Sequence, residues 1–137
     1  MEIKICKPEE LEKINDLLHD CWFDIDKISV DNNTFKLNFT CCLETRKRIL
    51  KNYLFIKQFE IPEVEGILEI HEVKSYEIID TEKVKNYDIN ELVFNPEINS
   101  ISILTGIPLM IRIDVLSLKV SVAIMDEIIS TKKVWNF

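Results

Sequence analysis

Glycine, histidine and long apolar runs are all scarce in this chain. Its 137 residues include two glycines, two histidines and four prolines. Gly66 and Gly106 lie too far apart to form a Walker phosphate loop or a dinucleotide fingerprint, both of which need closely spaced glycines. HExxH, CxxC and GxSxG motifs are also missing. No apolar run approaches the roughly 18 residues that a membrane-spanning helix needs, and the N-terminus lacks the apolar core of a secretion signal. We therefore expect a cytoplasmic protein.

The composition is that of a folded protein. Apolar residues make up 47% and charged residues 30% of the chain, which excludes a disordered polypeptide. The length suits one domain, so we expect residues 1–137 to form a single domain. Four cysteines occur, and a chain of this size does not need disulfides to fold. We interpret all four as reduced thiols: Cys6, Cys21, Cys41 and Cys42.

The net charge of −7 is distributed unevenly along the chain. Residues 60–99 carry eleven acidic and three basic side chains, whereas residues 1–59 are balanced. Basic residues cluster only at Arg46, Lys47, Arg48 and Lys51, which we interpret as the solvated flank of a strand. Nucleic-acid affinity depends mainly on Lys and Arg neutralising phosphates. We expect no nucleic-acid or membrane partner, and instead a protein partner or a homodimer.

One amphipathic helix is predicted over residues 8–21. Pro8 suits the first helical position, and Glu9 and Glu10 suit the positive end of the helix dipole. Apolar residues recur at helical spacing and form one stripe: Leu11, Ile14, Leu18 and Cys21.

After residue 21 the apolar spacing changes from helical to alternating. Residues 22–30 alternate in two phases, which predicts a bulge near Asp26 and Lys27. Residues 31–33 form a turn, and residues 34–43 then alternate as a half-buried antiparallel strand. Residues 45–60 fit either a helix or a strand; their aromatic content favours a strand, which Pro62 ends.

The second half of the chain continues as strands. We predict strands over 63–80, with an interruption at 72–74, and over 89–94 and 100–105. Residues 107–125 alternate in two opposite phases, and as one straight strand they would be longer than a domain of this size is wide. The chain must therefore bulge, bend or turn near Val115 and Leu116. The C-terminal tail, 126–137, fits a short helix or a frayed strand, with Trp135 and Phe137 as caps on the core.

These elements predict an α+β fold. One N-terminal helix (8–21) packs on a strongly curved, mainly antiparallel β-rich region (22–125). We expect seven or eight strands arranged as a sandwich or a partly closed barrel.

The candidate site residues are His19, Asp20 and His71. His19 and Asp20 are adjacent at the end of the predicted helix, where neighbouring side chains point about 100° apart, so joint metal ligation by the two is unfavourable. Asp24, Asp26 and Asp31 resemble the start of a calcium loop, but Ser29 and Phe35 stand where glycine and an acidic ligand are needed. We therefore assign no catalytic, cofactor-binding or metal-binding residue and expect no cofactor.

Several segments carry a resemblance of pattern to known families. They are Leu17-Leu18-His19-Asp20 with Trp22-Phe23, Phe35-x-Leu37-x-Phe39, Gly66-Ile67-Leu68-x-Ile70-His71, and residues 89–94. Together they resemble small uncharacterised bacterial β-rich families, some of which are grouped with immunity-type proteins. The resemblance implies a small antiparallel β protein and transfers no catalytic residue.

The missing catalytic motifs and the extensive sheet favour a non-enzymatic interaction domain that binds protein through a sheet face or edge. The alternative is a small-molecule-binding protein or an enzyme with a site near His19 and Asp20.

Overall fold

The computed structural model describes residues 1–43, 46–54 and 56–136. Its single α-helix, α1, spans Leu11–Leu18 and follows a 3-10 turn at Pro8–Glu10. Eleven strands are present in the described residues. They are β1 Glu2–Ile5, β2 Trp22–Asp24, β3 Ile28–Asp31, β4 Thr34–Cys42, β5 Arg48–Tyr53, β6 Ile56–Ile70, β7 Val73–Ile79, β8 Asn86–Asn95, β9 Ser100–Thr105, β10 Met110–Val115 and β11 Val120–Asn136.

The strands form one antiparallel sheet that does not close. Its order is β1-β11-β6-β4-β2-β8-β9-β10-β7, with β3 attached to β4 and β5 attached to β6. The protein is therefore α+β with one N-terminal helix, as predicted, but the expected count of seven or eight strands was wrong. Residues 22–30 form two strands rather than one, because a 3-10 turn at Ile25–Lys27 separates β2 from β3. The short β1 escaped prediction because four residues give too little alternation to recognise.

The helix is shorter than predicted. The backbone leaves the helical region at His19 (ψ 128°), and Asp20 takes a left-handed φ of 67°. Leu11, Ile14 and Leu18 are buried as the apolar stripe predicts. Cys21 is buried too, but it enters the core from beyond the helix end.

The side chain of Asn15 fastens α1 to strand β8. Its Nδ2 donates to the carbonyl oxygen of Leu92 at 3.0 Å, and its Oδ1 accepts from the N–H of Leu92 at 2.7 Å. The N–H and C=O of Leu92 thus point away from β9 and find their hydrogen-bond partner in the side chain of Asn15. The polar edge of α1 is thus anchored beside its buried stripe.

The hairpin predicted after the helix is confirmed. Asp31 pairs with Thr34 in the β3–β4 ladder, and Asn32 and Asn33 between them take φ values of 50° and 60°. Two consecutive positive φ values suit a tight hairpin turn, and asparagine tolerates them better than most residues. In β4 alternate residues are buried, beginning with Phe35 and Leu37.

Strand β6 is longer than predicted. A strand near residues 45–60 is confirmed by β5 and the first part of β6, while residues 44, 45 and 55 lie outside the described residues. Pro62 was predicted to end the strand, and this was wrong: β6 continues to Ile70. Pro62 lies opposite Thr131 of β11, beside a register shift at residues 128–130. The Pro62 carbonyl accepts from the N–H of Leu43 at 2.8 Å, so its nitrogen faces the side on which β4 pairs with β6 up to Glu63 and β5 pairs from Glu60. Proline is tolerated between these two ladders because no ladder hydrogen bond needs its missing N–H.

The predicted break near Val115 and Leu116 is a turn between β10 and β11. The two strands do not pair with each other, since β10 joins β7 and β9 whereas β11 joins β1 and β6. Residues 126–136 form the second half of β11. Trp135 is 45% exposed and does not cap the core, and Phe137 lies outside the described residues.

One continuous core unites the helix and the sheet. Its largest fully buried side chains include Tyr87, Phe23, Phe35 and Phe39. Phe23 and Tyr87 stack with ring centroids 6.0 Å apart. The core lies over the central strands and ends before the distal parts of β5, β6 and β11.

Candidate functional site

His19 and Asp20 lie in solvent just beyond α1. His19 Nε2 is 3.7 Å from Asp20 Oδ2, and the two side chains are 62% and 84% exposed. His19 Nδ1 lies 3.3 Å from the carbonyl oxygen of Asn90. At this exposure water screens the interaction between the two side chains, so the pair contributes little to stability.

His71 has different neighbours from His19. Its Nε2 lies 3.2 Å from Ser121 Oγ and 3.7 Å from Glu69 Oε2. In the described residues neither a hydrogen bond nor an ion pair joins His71 to His19 or Asp20. Nor do any three histidine, cysteine, aspartate or glutamate side chains described lie close enough together to hold a metal ion.

The group of Ser121, His71 and Glu69 was not predicted, because the serine lies fifty residues from the histidine. Strand pairing brings these residues together, since Ser121 of β11 is directly opposite Glu69 of β6. In a serine nucleophile triad the hydroxyl and the carboxylate bind opposite ring nitrogens of the histidine. Here both approach Nε2. The glutamate therefore cannot orient the ring for proton transfer from the serine.

An open cleft of about 420 Å³ surrounds His71. Lys4 and Lys119 line it together with Glu2, Glu10 and Glu69. Its volume is within the range of small-molecule sites, but its charged groups have both signs. Every buried polar side-chain atom in the described residues already has a hydrogen-bond partner. Among the described residues, the cleft thus has no buried side-chain donor or acceptor that a ligand is needed to satisfy.

Cys21 and Cys41 form a buried pair of thiols. Trp22 is paired with Thr40 in the β2–β4 ladder, which places Cys21 opposite Cys41 one position further along. The hydrogen bond with Cys41, together with burial, holds the pKa of the Cys21 thiol above its ordinary value. The Sγ of Cys21 also lies 3.3 Å from the Leu17 carbonyl oxygen, a second acceptor for its single S–H. A protonated, enclosed thiol is a poor nucleophile, so Cys21 contributes to packing. The same hydrogen bond holds the pKa of the Cys41 thiol below its ordinary value, but Cys41 is also buried, so the protein itself shields it from reactants.

The distal parts of β5, β6 and β11 form a three-stranded extension of the sheet. We call it the arm and define it as residues 46–54, 56–61 and 126–136. β6 is its central strand, with Ile49 of β5 and Val134 of β11 both opposite Phe59. Lys47 Nζ lies 5.3 Å from the centre of the Phe59 ring, a favourable cation–π arrangement.

The arm is basic, although the chain as a whole is acidic. It carries seven basic and three acidic residues, whereas the rest of the sequence carries ten basic and twenty-one acidic residues. The net charge is thus +4 on the arm and −11 elsewhere. All seven basic residues are exposed: Arg46, Lys47, Arg48, Lys51, Lys57, Lys132 and Lys133.

One ion pair fixes the inner end of the arm. Arg48 approaches Glu60 Oε2 through Nε at 2.7 Å and Nη2 at 2.6 Å. Hydrogen bonds from Arg48 and then Thr131 hold the pKa of Glu60 below its ordinary value. Because Glu60 is ionised and occupied by Arg48, it leaves most of the arm's positive charge uncompensated.

The arm also exposes a set of large apolar side chains. Leu54 at the β5–β6 turn is 95% exposed. The other members are at least one-third exposed: Ile49, Leu50, Ile56, Ile128, Ile129 and Trp135. Single exposed apolar residues are ordinary, but seven on one three-stranded extension, distributed over both of its faces, are typical of an interaction surface.

Strand β11 adds an unpaired backbone edge to the arm. β1 covers only Val120 to Ala123 on one side of β11, while β6 occupies the other side. In the described part of the chain, residues 125–136 of β11 therefore have one side without a neighbouring strand. Such an edge can accept a further strand from another molecule.

Comparison of the chain with protein-family models, with curated proteins and with solved structures finds no match in any of the three. The resemblance to bacterial β-rich families therefore stays a prediction. As for membranes, the described residues contain no helix with the length and apolar character to cross one.

Proposed function

We propose that the protein is a non-enzymatic interaction domain that binds another protein through the arm. The observation that carries this proposal is the concentration of exposed apolar side chains on an element that is also basic and has an unpaired strand edge. Each property alone is common at a protein surface. Their combination on one projection matches the apolar centre and polar rim of protein interfaces.

A protein partner suits the arm better than a nucleic acid does. Nucleic-acid interfaces are dominated by Lys and Arg contacts to phosphate, whereas the arm exposes as many large apolar side chains as basic ones. The acidic remainder of the chain would also repel a polyanion. An acidic protein surface with an apolar centre complements both properties of the arm.

The exposed apolar side chains are sufficient to support binding. A fully buried leucine or isoleucine contributes about 1.5–3 kcal/mol. Burial of Leu54 and of the exposed apolar side chains on one face of the arm would therefore offset an association cost of several kcal/mol. Hydrogen bonds along the β11 edge would add direction to the contact.

The alternative function, a small-molecule site near His19 and Asp20, is supported by no contact in the described residues. Both side chains are exposed, and their recorded partners are each other and one backbone carbonyl. We therefore do not propose it as a second function.

Site-specific photo-cross-linking tests the proposal. A photoreactive phenylalanine analogue replaces Leu54 on the arm or, as the control, Leu116, which is 66% exposed on a turn outside the arm. After irradiation in cells of the native source, we expect a discrete adduct at position 54 and none at 116. The captured polypeptide, prepared pure, must then bind the wild type more tightly than the Trp135→Ser variant. Equal adduct patterns at both positions, or equal binding to both proteins, would overturn the proposal.

A further inference from the structure

A groove outside the arm has exposed apolar side chains and acidic neighbours, the two properties that would complement the apolar, basic arm. It lies on the sheet where β7, β8, β9 and β10 are neighbours and has a volume of about 550 Å³. Ile79, Leu104 and Met110 line it, and all three are more than 40% exposed. Met110 is directly opposite Ile79 in the β7–β10 ladder, so the two side chains share one face.

Acidic residues neighbour the lining of this groove in sequence and in strand register. Glu91 is directly opposite Leu104 in the β8–β9 ladder and is exposed. Asp80 and Glu82 flank Thr81, which lines the groove. Lys83 is the nearest basic residue in sequence, and its N–H donates to Asp80. Two exposed carboxylates, those of Glu82 and Glu91, therefore belong to residues next to the lining, whereas the Asp80 carboxylate accepts hydrogen bonds from the Tyr87 hydroxyl and the Lys83 N–H.

The tip of the arm is complementary to this groove, because it combines a protruding apolar side chain with nearby lysines. Leu54 projects from the β5–β6 turn with 95% of its surface exposed, and Lys51 and Lys57 follow on the two strands behind it. Its φ of 36° is in the left-handed region, where leucine is unfavourable and Gly or Asn is usual. Leu54 thus destabilises the unbound protein in two ways, through its left-handed backbone and through the exposure of its apolar side chain to water. Such a residue is expected where binding to a partner offsets the cost.

We propose that the arm of one molecule inserts Leu54 into this groove of a second copy of the chain. This inference rests on the proposed function and names its partner. The arm is built on β11, β6 and β5, whereas the groove lies among β7 to β10 at the other end of the strand order. The charges of +4 and −11 favour the approach of an arm to a body over the approach of two arms.

This contact is heterologous, because the surface used on one molecule differs from the surface used on the other. Each molecule has one arm and one groove, so reciprocal insertion gives a closed pair and non-reciprocal insertion gives a longer chain of molecules. In either case a molecule without a functional arm can still receive the arm of another.

Sedimentation velocity of the purified full chain tests the inference with two variants and a control. Leu54→Asn removes the apolar tip while suiting the left-handed backbone, so its fold is retained. Leu104→Lys places a positive charge in the groove at an exposed strand position. Leu116→Asn is the matched control on an exposed turn outside both surfaces. Circular dichroism and thermal melting verify that all three are folded.

We expect the wild type and Leu116→Asn to self-associate. Association should weaken between 0.01 and 1 M salt, because the screening length falls from about 30 to about 3 Å. Each of the other variants alone should associate at least roughly tenfold more weakly. Mixing Leu54→Asn with Leu104→Lys should restore a one-to-one dimer and nothing larger, since one supplies the groove and the other the arm.

The outcomes separate this inference from the proposed function. A wild type that stays monomeric, or a mixture of variants that forms no dimer, overturns the arm-in-groove contact. A monomeric wild type whose position 54 still cross-links to a different protein overturns only the choice of a second copy. A monomeric wild type whose arm instead binds duplex DNA or anionic vesicles overturns both proposals.

Discussion

Replacement of Gly66 by alanine should destabilise the protein, although glycine is a poor strand residue. Gly66 of β6 lies directly opposite Phe39 of β4. A Cβ atom on Gly66 would lie 2.3 Å from Cζ and 2.6 Å from Cε2 of the Phe39 ring. Ordinary carbon contacts are about 3.5–4.0 Å, so the ring would have to move by more than 1 Å. It is 2% exposed and enclosed by the core, which leaves it nowhere to go without displacing neighbours.

Two opposing effects determine how much Gly66→Ala changes the free energy of unfolding. Removing a strand glycine gains about 0.5–1 kcal/mol because the unfolded chain loses freedom. Overpacking a close-packed core costs about 1–3 kcal/mol, and a contact this short places Gly66 at the upper end of that range. We therefore expect Gly66→Ala to lower the free energy of unfolding by about 2 kcal/mol.

Urea unfolding measured by circular dichroism tests this value. With a slope near 2 kcal/mol per M, the midpoint should fall by about 1 M. Gly106→Ala is the matched control, since its added Cβ would meet only Asp88 Cβ, at 3.9 Å, and we expect it to be neutral or slightly stabilising. A second variant, Phe39→Leu with Gly66→Ala, should lose less than the sum of its two single substitutions. A Gly66→Ala protein as stable as the wild type would refute the close-packing argument.

Three further predictions concern single side chains. Asn15→Ala should lower the free energy of unfolding by about 2 kcal/mol, measured in urea, because both backbone groups of Leu92 lose a partner; an unchanged midpoint would mean that water replaces the amide. A thiol reagent should modify the exposed Cys6 rapidly and the buried Cys21 only after unfolding, and equal rates would contradict the placement of Cys21 in the core. Because the pKa of Glu60 is lowered from 4.5 in the folded protein, its contribution is complete above that pH and is lost as the pH falls through the folded value. The urea midpoint of Glu60→Gln should therefore be lower than that of the wild type at pH 7, and the difference should narrow in acid; a difference that persists in strong acid would point to packing instead of charge.

Local patterns predicted the elements whose signals are strong within a few residues. The buried stripe of α1, the Asn32–Asn33 turn and the alternation of β4 all follow from spacing and backbone preference. The break in the chain near Val115 was also predictable, because a straight strand over residues 107–125 would be longer than a small domain is wide. The end of α1 was misplaced, since a left-handed Asp20 carries no strong mark in the sequence. The prediction at Pro62 was wrong because a single proline does not reveal that its nitrogen faces the gap between two neighbouring strands, where no ladder donor is needed.

The candidate site was less accessible from sequence than the fold. His19 and His71 were recognised as rare residue types, but their neighbours depend on contacts across long stretches of chain. Ser121 meets His71 only through the pairing of β6 with β11. The basic residues of the arm come from two segments about eighty residues apart, and neither segment alone suggests a surface with a charge of +4.

What the sequence by itself determined is the α+β class, the buried faces and the hairpin turn, because these depend on side-chain periodicity and on local φ preferences. Only the tertiary structure decided which polar and apolar residues meet in space. Strand pairing places Lys133 of β11 and Arg48 of β5 on either side of Glu60 of β6, and strand order separates this region from the groove among β7 to β10. The physical reason is that strand pairing joins residues regardless of their distance along the chain, so a composite surface has no local signature.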